Sequence, residues 1–77
     1  MPPRFTRHLR ERLQARQIAE DDVSAIIARP AREEHDPTNH SYKLYGWTTE
    51  GRWIYVAVTE DSWRTEHPVV KTAVEVS

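Results

Sequence analysis

The chain contains no cysteine. That excludes disulfide staples and thiolate-held metals, and it fits a reducing compartment. No apolar run approaches the roughly 20 residues that a membrane-spanning helix needs. The opening Met1-Pro2-Pro3-Arg4 lacks the apolar stretch of a secretion signal, so a cytoplasmic location is the default expectation. No surplus of either charge exists: eleven Lys and Arg oppose twelve Asp and Glu, for a formal charge of −1. A globally basic nucleic-acid binder is therefore not indicated. Repeats and low-complexity tracts are absent as well, and 77 residues are enough for one small domain, residues 1–77.

What is present begins with uneven charge. Arg4, Arg7, Arg10, Arg12 and Arg16 crowd the first sixteen residues against Glu11 alone. A local basic patch of this kind can attract polyanions even on a neutral protein. The spacing predicts a first helix from about Thr6 to Arg16, with Thr6 as N-cap and Leu9 and Leu13 on one face. His8, Arg12 and Arg16 form a second stripe on that helix. Such a stripe suits a phosphate-handling surface or a solvated face. After Ile18, the acidic Glu20-Asp21-Asp22 opens a second helix at the positive end of its dipole. Val23, Ile26 and Ile27 give that helix a buried stripe, and Pro30 stops it near Arg29. The closeness of the two helices predicts a helical hairpin.

From Ser41 onward, aromatic and β-branched residues favour strands, over Ser41–Thr48, Arg52–Glu60 and Pro68–Val76. A shorter edge strand is expected over Arg32–His35, and a charged loop with a mobile tip over Asp61–His67. A two-residue Glu50-Gly51 turn would bury Lys43. A three-residue loop, Thr49-Glu50-Gly51 with Gly51 in the left-handed position, shifts the pairing by one and avoids this. Tyr42, Leu44, Ile54, Val56 and Val58 then share one face, and Lys43, Tyr45, Trp47, Trp53 and Tyr55 the other. Continued alternation puts Val70, Thr72, Val74 and Val76 on the apolar face, and Lys71, Ala73 and Glu75 on the polar one. The expected inner face is therefore Leu44, Ile54, Val56, Val58, Val70 and Val74. Two helices cover only one side of such a sheet, which leaves an aromatic-rich face open.

Four motifs run through the chain in order. They are His8-x-x-x-Arg12-x-x-x-Arg16-x-Ile18, Val23-x-x-Ile26-Ile27-x-x-Pro30, Tyr42-x-x-Tyr45-Gly46 and Val69-Val70-x-Thr72. With these the chain resembles the bacterial family called domain of unknown function 4258, and more distantly the BrnT-type and RelE-type toxins. Roughly Thr6 to Val76 is covered, and His8, Arg12, Arg16, Ile18, Tyr45, Gly46, Arg52 and Thr72 match the pattern. Gln17 and Ala19 depart from it, standing where the family often has Gly and Ser. The resemblance implies an α+β fold of RelE/BrnT-like type, two N-terminal helices packed on one face of a small antiparallel sheet of three to four strands. It also implies a metal-independent ribonuclease toxin paired with a cognate antitoxin.

Metal-free RNA cleavage needs a base, an acid and cations for the phosphorane. The candidate catalytic set is His8 for proton transfer, Arg12 and Arg52 for phosphate, Lys43 for charge and Tyr45 for a proton or a stacking surface. A single His beside core positions is more often scaffold, and His8 would then bond the backbone or the Thr72 hydroxyl. Arg16, Trp47, Trp53, Tyr55 and Lys71 are the candidate binding residues. They would serve RNA by stacking, or a protein partner or homodimer through the open sheet face. The near-neutral charge suits the non-catalytic interaction reading. His35, His40 and His67 with Asp36, Asp61 or Glu66 match no metal-ligand spacing, and no serine sits in a nucleophile context. No cofactor is expected.

Overall fold

The computed structural model describes residues 5–76. Arg4 of the basic cluster and the two N-terminal prolines lie outside them. The elements are α1 (Arg7–Ala15), α2 (Glu20–Ala28), β1 (Arg32–Asp36), a 3-10 turn (Pro37–Asn39), β2 (Ser41–Trp47), β3 (Trp53–Thr59) and β4 (Val70–Glu75). The strands form one antiparallel sheet in the order β1-β2-β3-β4. Leu9 and Leu13 of α1 and Val23, Ile26 and Ile27 of α2 close on Leu44, Ile54, Val56, Val58, Val70 and Ala73. The fold is α+β, with two helices on one face of the sheet, as expected. No helix among the described residues is long and apolar enough to cross a membrane.

The ends of α1 follow from local chemistry. The Thr6 hydroxyl accepts the Leu9 N–H at 3.1 Å, satisfying one of the orphan donors of the first turn. At the other end Gln17 adopts a left-handed φ of 57°. Its N–H reaches the Gln14 carbonyl at 3.1 Å, and that of Ile18 reaches Leu13 at 2.9 Å. This double bond pattern ends the helix and returns Ile18 to the core beside Leu13. Glycine adopts this conformation without the Cβ penalty. Gln17→Gly should therefore stabilise the fold by about 0.5–1 kcal/mol, raising the melting temperature by roughly 3–6 °C. A fall in melting temperature would count against this account of the turn.

The two helices follow each other across the short connection Arg16–Ala19, as expected. α1 docks against β4 and α2 against β2 and β3, because each apolar stripe finds more surface on the sheet than on its neighbour. An exposed Arg10–Glu20 ion pair at 3.3 Å joins them. Ala19, at the start of α2, provides no side-chain cap. Asp22 is buried, and its carboxylate accepts the Thr49 N–H at 3.1 Å and the Thr49 hydroxyl at 3.4 Å. It thereby ties α2 to the β2–β3 loop.

That loop has the three-residue form read from the sequence. Thr48 and Arg52 close it, with Gly51 at φ 81°. Leu44 then faces Val56, Tyr45 faces Tyr55 and Trp47 faces Trp53. β4 departs from the expected alternation. A bulge breaks the β3–β4 register between Ala57 and Val58, so Val58 pairs Val70 whereas Val56 pairs Ala73. One extra residue exchanges the faces beyond it. Ala73, expected outside, is fully buried, and Val74, expected inside, pairs with Tyr55 of the opposite face. Thr72, also expected inside, pairs with Ala57 of the outer face. Asp61–His67 is a loop of turns and bends. Trp63 packs on the core, and its indole N–H donates to Glu33 at 3.0 Å.

Candidate functional site

Both helices occupy the inner face, and no described element covers the outer one. Alternation brings Lys43, Tyr45 and Trp47 of β2 beside Trp53 and Tyr55 of β3 on that outer face. Their rings form a continuous row. Trp47 and Trp53 have centroids 4.8 Å apart, Trp53 and Tyr45 stack at 5.9 Å, and Tyr45 meets Tyr55 at 5.8 Å. Cross-strand aromatic pairs support the sheet, yet Trp47 remains 64% exposed. Two cations ride on the row: the Arg32 guanidinium lies 5.4 Å from the Tyr45 ring centre, and the Lys43 ammonium 5.2 Å from that of Tyr55.

Beyond Tyr55 the face becomes polar and sinks into a concavity of about 150 Å³ bordered by Asp36, Ser41, Lys43, Tyr55, Lys71 and Thr72. Lys71 is fixed there, its ammonium donating to the Asn39 carbonyl at 2.7 Å and to the Ser41 hydroxyl at 2.9 Å. The bulge lets Lys71 and the following Thr72 both border this one basin. The Asn39 amide donates to Asp36 at 2.9 Å, and the Lys43 ammonium stands 3.9 Å from the same carboxylate. The Asn39 hydrogen bond, ahead of the charges of Lys43 and Lys71, holds the Asp36 carboxyl below its ordinary range.

Six of the residues singled out in the sequence thus share one face: Lys43, Tyr45, Trp47, Trp53, Tyr55 and Lys71. A seventh, Arg16, reaches around the β4 edge from α1, its guanidinium donating to the Thr72 hydroxyl and the Ala73 carbonyl, both at 2.9 Å. The Thr72 hydroxyl therefore takes Arg16, not His8, as its partner from the helix. Arg52 is engaged in holding the fold. It pairs with Glu75 at 2.9 Å and donates to the Gln17 and Arg16 carbonyls at 2.7 and 3.1 Å, satisfying the C-terminal end of α1. His8 and Arg12 are exposed on α1. The helix lies on the inner side of the sheet, so the five-residue catalytic set is not brought together.

Asp36, Ser41 and Arg32 were missed as site residues. Arg32 joins the row only through the β1–β2 register that sets it opposite Tyr45. That register follows from the Pro37–Asn39 turn and the left-handed φ of 52° at His40, which sequence pattern alone did not fix. At the end of β1, Glu60 is bonded by His35 and approached by His40 at 3.7 Å. The His35 hydrogen bond foremost, then both imidazole charges, lowers the Glu60 carboxyl from its usual range. Glu33 is lowered likewise, first by the Trp63 indole and then by Arg64. No group of three or more His, Asp or Glu side chains that could hold a metal ion occurs among the described residues.

Comparison with curated proteins and with solved structures finds no match, so neither shows the expected likeness to BrnT-type and RelE-type toxins. A family model described as Domain of unknown function (DUF4258) does match, over residues 5–75, and with the two helices, the hairpin and β4 all inside that span, the chain belongs to this family.

Proposed function

We propose that this chain binds single-stranded RNA on the open face of its sheet. The observation that carries the reading is the aromatic row of Trp47, Trp53, Tyr45 and Tyr55, flanked by Arg32 and Lys43 and ending at Lys71. Unstacked bases settle on aromatic rings whatever their identity, and each such contact contributes about 1–3 kcal/mol. Cations beside the rings attract the backbone, so a chain with a net charge of −1 can still bind locally. RNA cleavage is a further step, and the separation of His8 and Arg12 from Lys43 and Tyr45 gives it less support than binding.

Anisotropy of a 5′-fluorescein-labelled twelve-nucleotide oligouridine tests this directly. Trp53→Ala should weaken binding at least roughly tenfold, from the loss of one stacked base. Wild-type affinity should also fall steadily with added KCl. Absence of binding at low salt would end the reading. Induction of the chain in a bacterial host separates a toxin from a binder. Normal growth with intact RNA at confirmed expression would remove the nuclease toxin, and with it the need for an antitoxin, while leaving RNA binding in place.

The exposure of Trp47 favours a second reading, in which the face meets another copy of the chain or a protein partner. Light scattering across a wide dilution range discriminates the two. A dimer that Trp47→Glu converts to a folded monomer supports association over RNA.

A further inference from the structure

The basin at the end of the aromatic row combines two ammonium groups from different strands, the hydroxyls of Ser41, Tyr55 and Thr72, and one carboxylate. We propose that it is a phosphate-binding subsite, with Asp36 as a built-in competitor for its lysines. The proposal rests on the RNA-binding reading above, and its ligand is one backbone phosphate of the strand whose bases stack on the row.

Three features of the basin support an anion there. First, Lys71 is pre-positioned. Two of its three N–H donors are taken by the Asn39 carbonyl and the Ser41 hydroxyl, and Ser41 is only 2% exposed. One donor of a fixed ammonium is left for an incoming oxygen. Second, Lys43 is not bonded to Asp36. At 3.9 Å the pair is beyond hydrogen-bond reach, so the ammonium is held by charge and by the Tyr55 ring beneath it. Its donors are available to an oxygen that approaches more closely. Third, two ammonium groups against one carboxylate leave the basin with a surplus positive charge. Thr72 adds a hydroxyl whose lone pair is taken by Arg16, which leaves its own proton to donate.

Asp36 is anchored by Asn39 rather than by either lysine. Its carboxylate lowers the potential of the basin without filling its hydrogen-bonding capacity. A phosphodiester brings an anion to the same two cations, so the two compete. This sets a threshold: a strand that also stacks on the aromatic row binds, whereas an isolated phosphate binds weakly.

The test uses the full chain and the labelled oligouridine over a range of KCl, with melting curves confirming that each variant is folded. Lys43→Gln and Lys71→Gln should each flatten the slope of log affinity against log salt by about 0.7, the loss of one phosphate contact on a single strand. Asp36→Asn keeps an acceptor for the Asn39 amide and removes only the charge. It should tighten binding about two- to fivefold, the effect of removing one nearby like charge at a solvent-screened site. Trp53→Ala serves as the contrast, weakening affinity with its salt slope unchanged.

Unaltered slopes in both lysine variants, or weaker binding by Asp36→Asn, would overturn the subsite. Retention of the Trp53→Ala effect in that case would leave RNA stacking standing. Amide shifts during titration of the Asp36→Asn protein with inorganic phosphate provide an RNA-independent arm. Shifts confined to Ser41, Lys43, Lys71 and Thr72 support the site even if oligouridine does not bind, a result that would remove the stacking reading alone. No shifts there, together with no RNA binding, would remove both.

Discussion

Replacing Val56 with aspartate should leave the chain unfolded at neutral pH. Val56 is completely buried, with Leu44 opposite it on β2 and Ala73 opposite it on β4, both completely buried too. A carboxylate at this position meets neither solvent nor a hydrogen-bond partner, so it must be protonated to remain inside. Holding an ordinary aspartate neutral at pH 7 costs about 4 kcal/mol. Losing the apolar burial of valine adds roughly 2 kcal/mol. The sum is comparable with the entire stability of a domain this size, about 4–12 kcal/mol. Circular dichroism and urea titration check the result. The deficit should also shrink by about 1.4 kcal/mol for each unit that the pH is lowered toward 4, since protonation is then no longer forced. A variant melting within a degree or two of wild type would refute the inward placement of Val56.

Gly46→Val should be the next most damaging change, for a steric reason. α2 lies so close to β2 here that a Cβ on residue 46 would stand 2.7 Å from Ile26 Cγ1, and 3.2 and 3.3 Å from its Cγ2 and Cδ1. Ile26 is itself buried and has no free volume to retreat into. Gly46→Ala should cost roughly 1–3 kcal/mol, and the two further methyl groups of valine more than that. A double-mutant cycle identifies the cause. Shortening Ile26 to alanine makes room for a methyl group at 46, so Gly46→Ala should be less costly in that background, with a coupling of about 0.5–3 kcal/mol. Strict additivity would mean that the close approach of α2 is not what selects glycine.

The β2–β3 hairpin was fully legible because two local signals agreed. Only a three-residue loop ending in Gly51 kept Lys43 out of the core, and Gly51 does take the left-handed conformation at the end of that loop. The last strand was legible only in part. Val69 to Val76 carries valines in both phases of the alternation, so composition did not choose between Val74 and Ala73 for the inner face. The bulge that did choose answers to how β4 docks on β3 beneath α1, a non-local requirement. Arg52 illustrates the same limit. Its residue type fits phosphate as well as it fits carbonyls, and only the approach of the α1 C-terminus to the β3 start commits it to Gln17 and Arg16.

The sequence by itself determined the order and type of the elements, the inner face of the central hairpin and the aromatic character of the outer one. Each of these follows from periodicity, from turn chemistry or from the count of helices available to cover a sheet. Alternation already put Lys43 and Lys71 on that side, and tertiary structure alone brought Arg32, Thr72 and Asp36 beside the aromatic face. Arg32 arrives by the pairing of β1 with β2, Thr72 by the β4 bulge, and Asp36 by the turn that precedes β2. His8 and Arg12 are separated from Lys43 and Tyr45 because α1 docks on the inner face. Patterning fixes the face of a strand residue such as Lys43, but a long charged side chain costs nothing to leave in water, so patterning is silent about where the charged head comes to rest. Those positions are set by register and docking, after the core has formed.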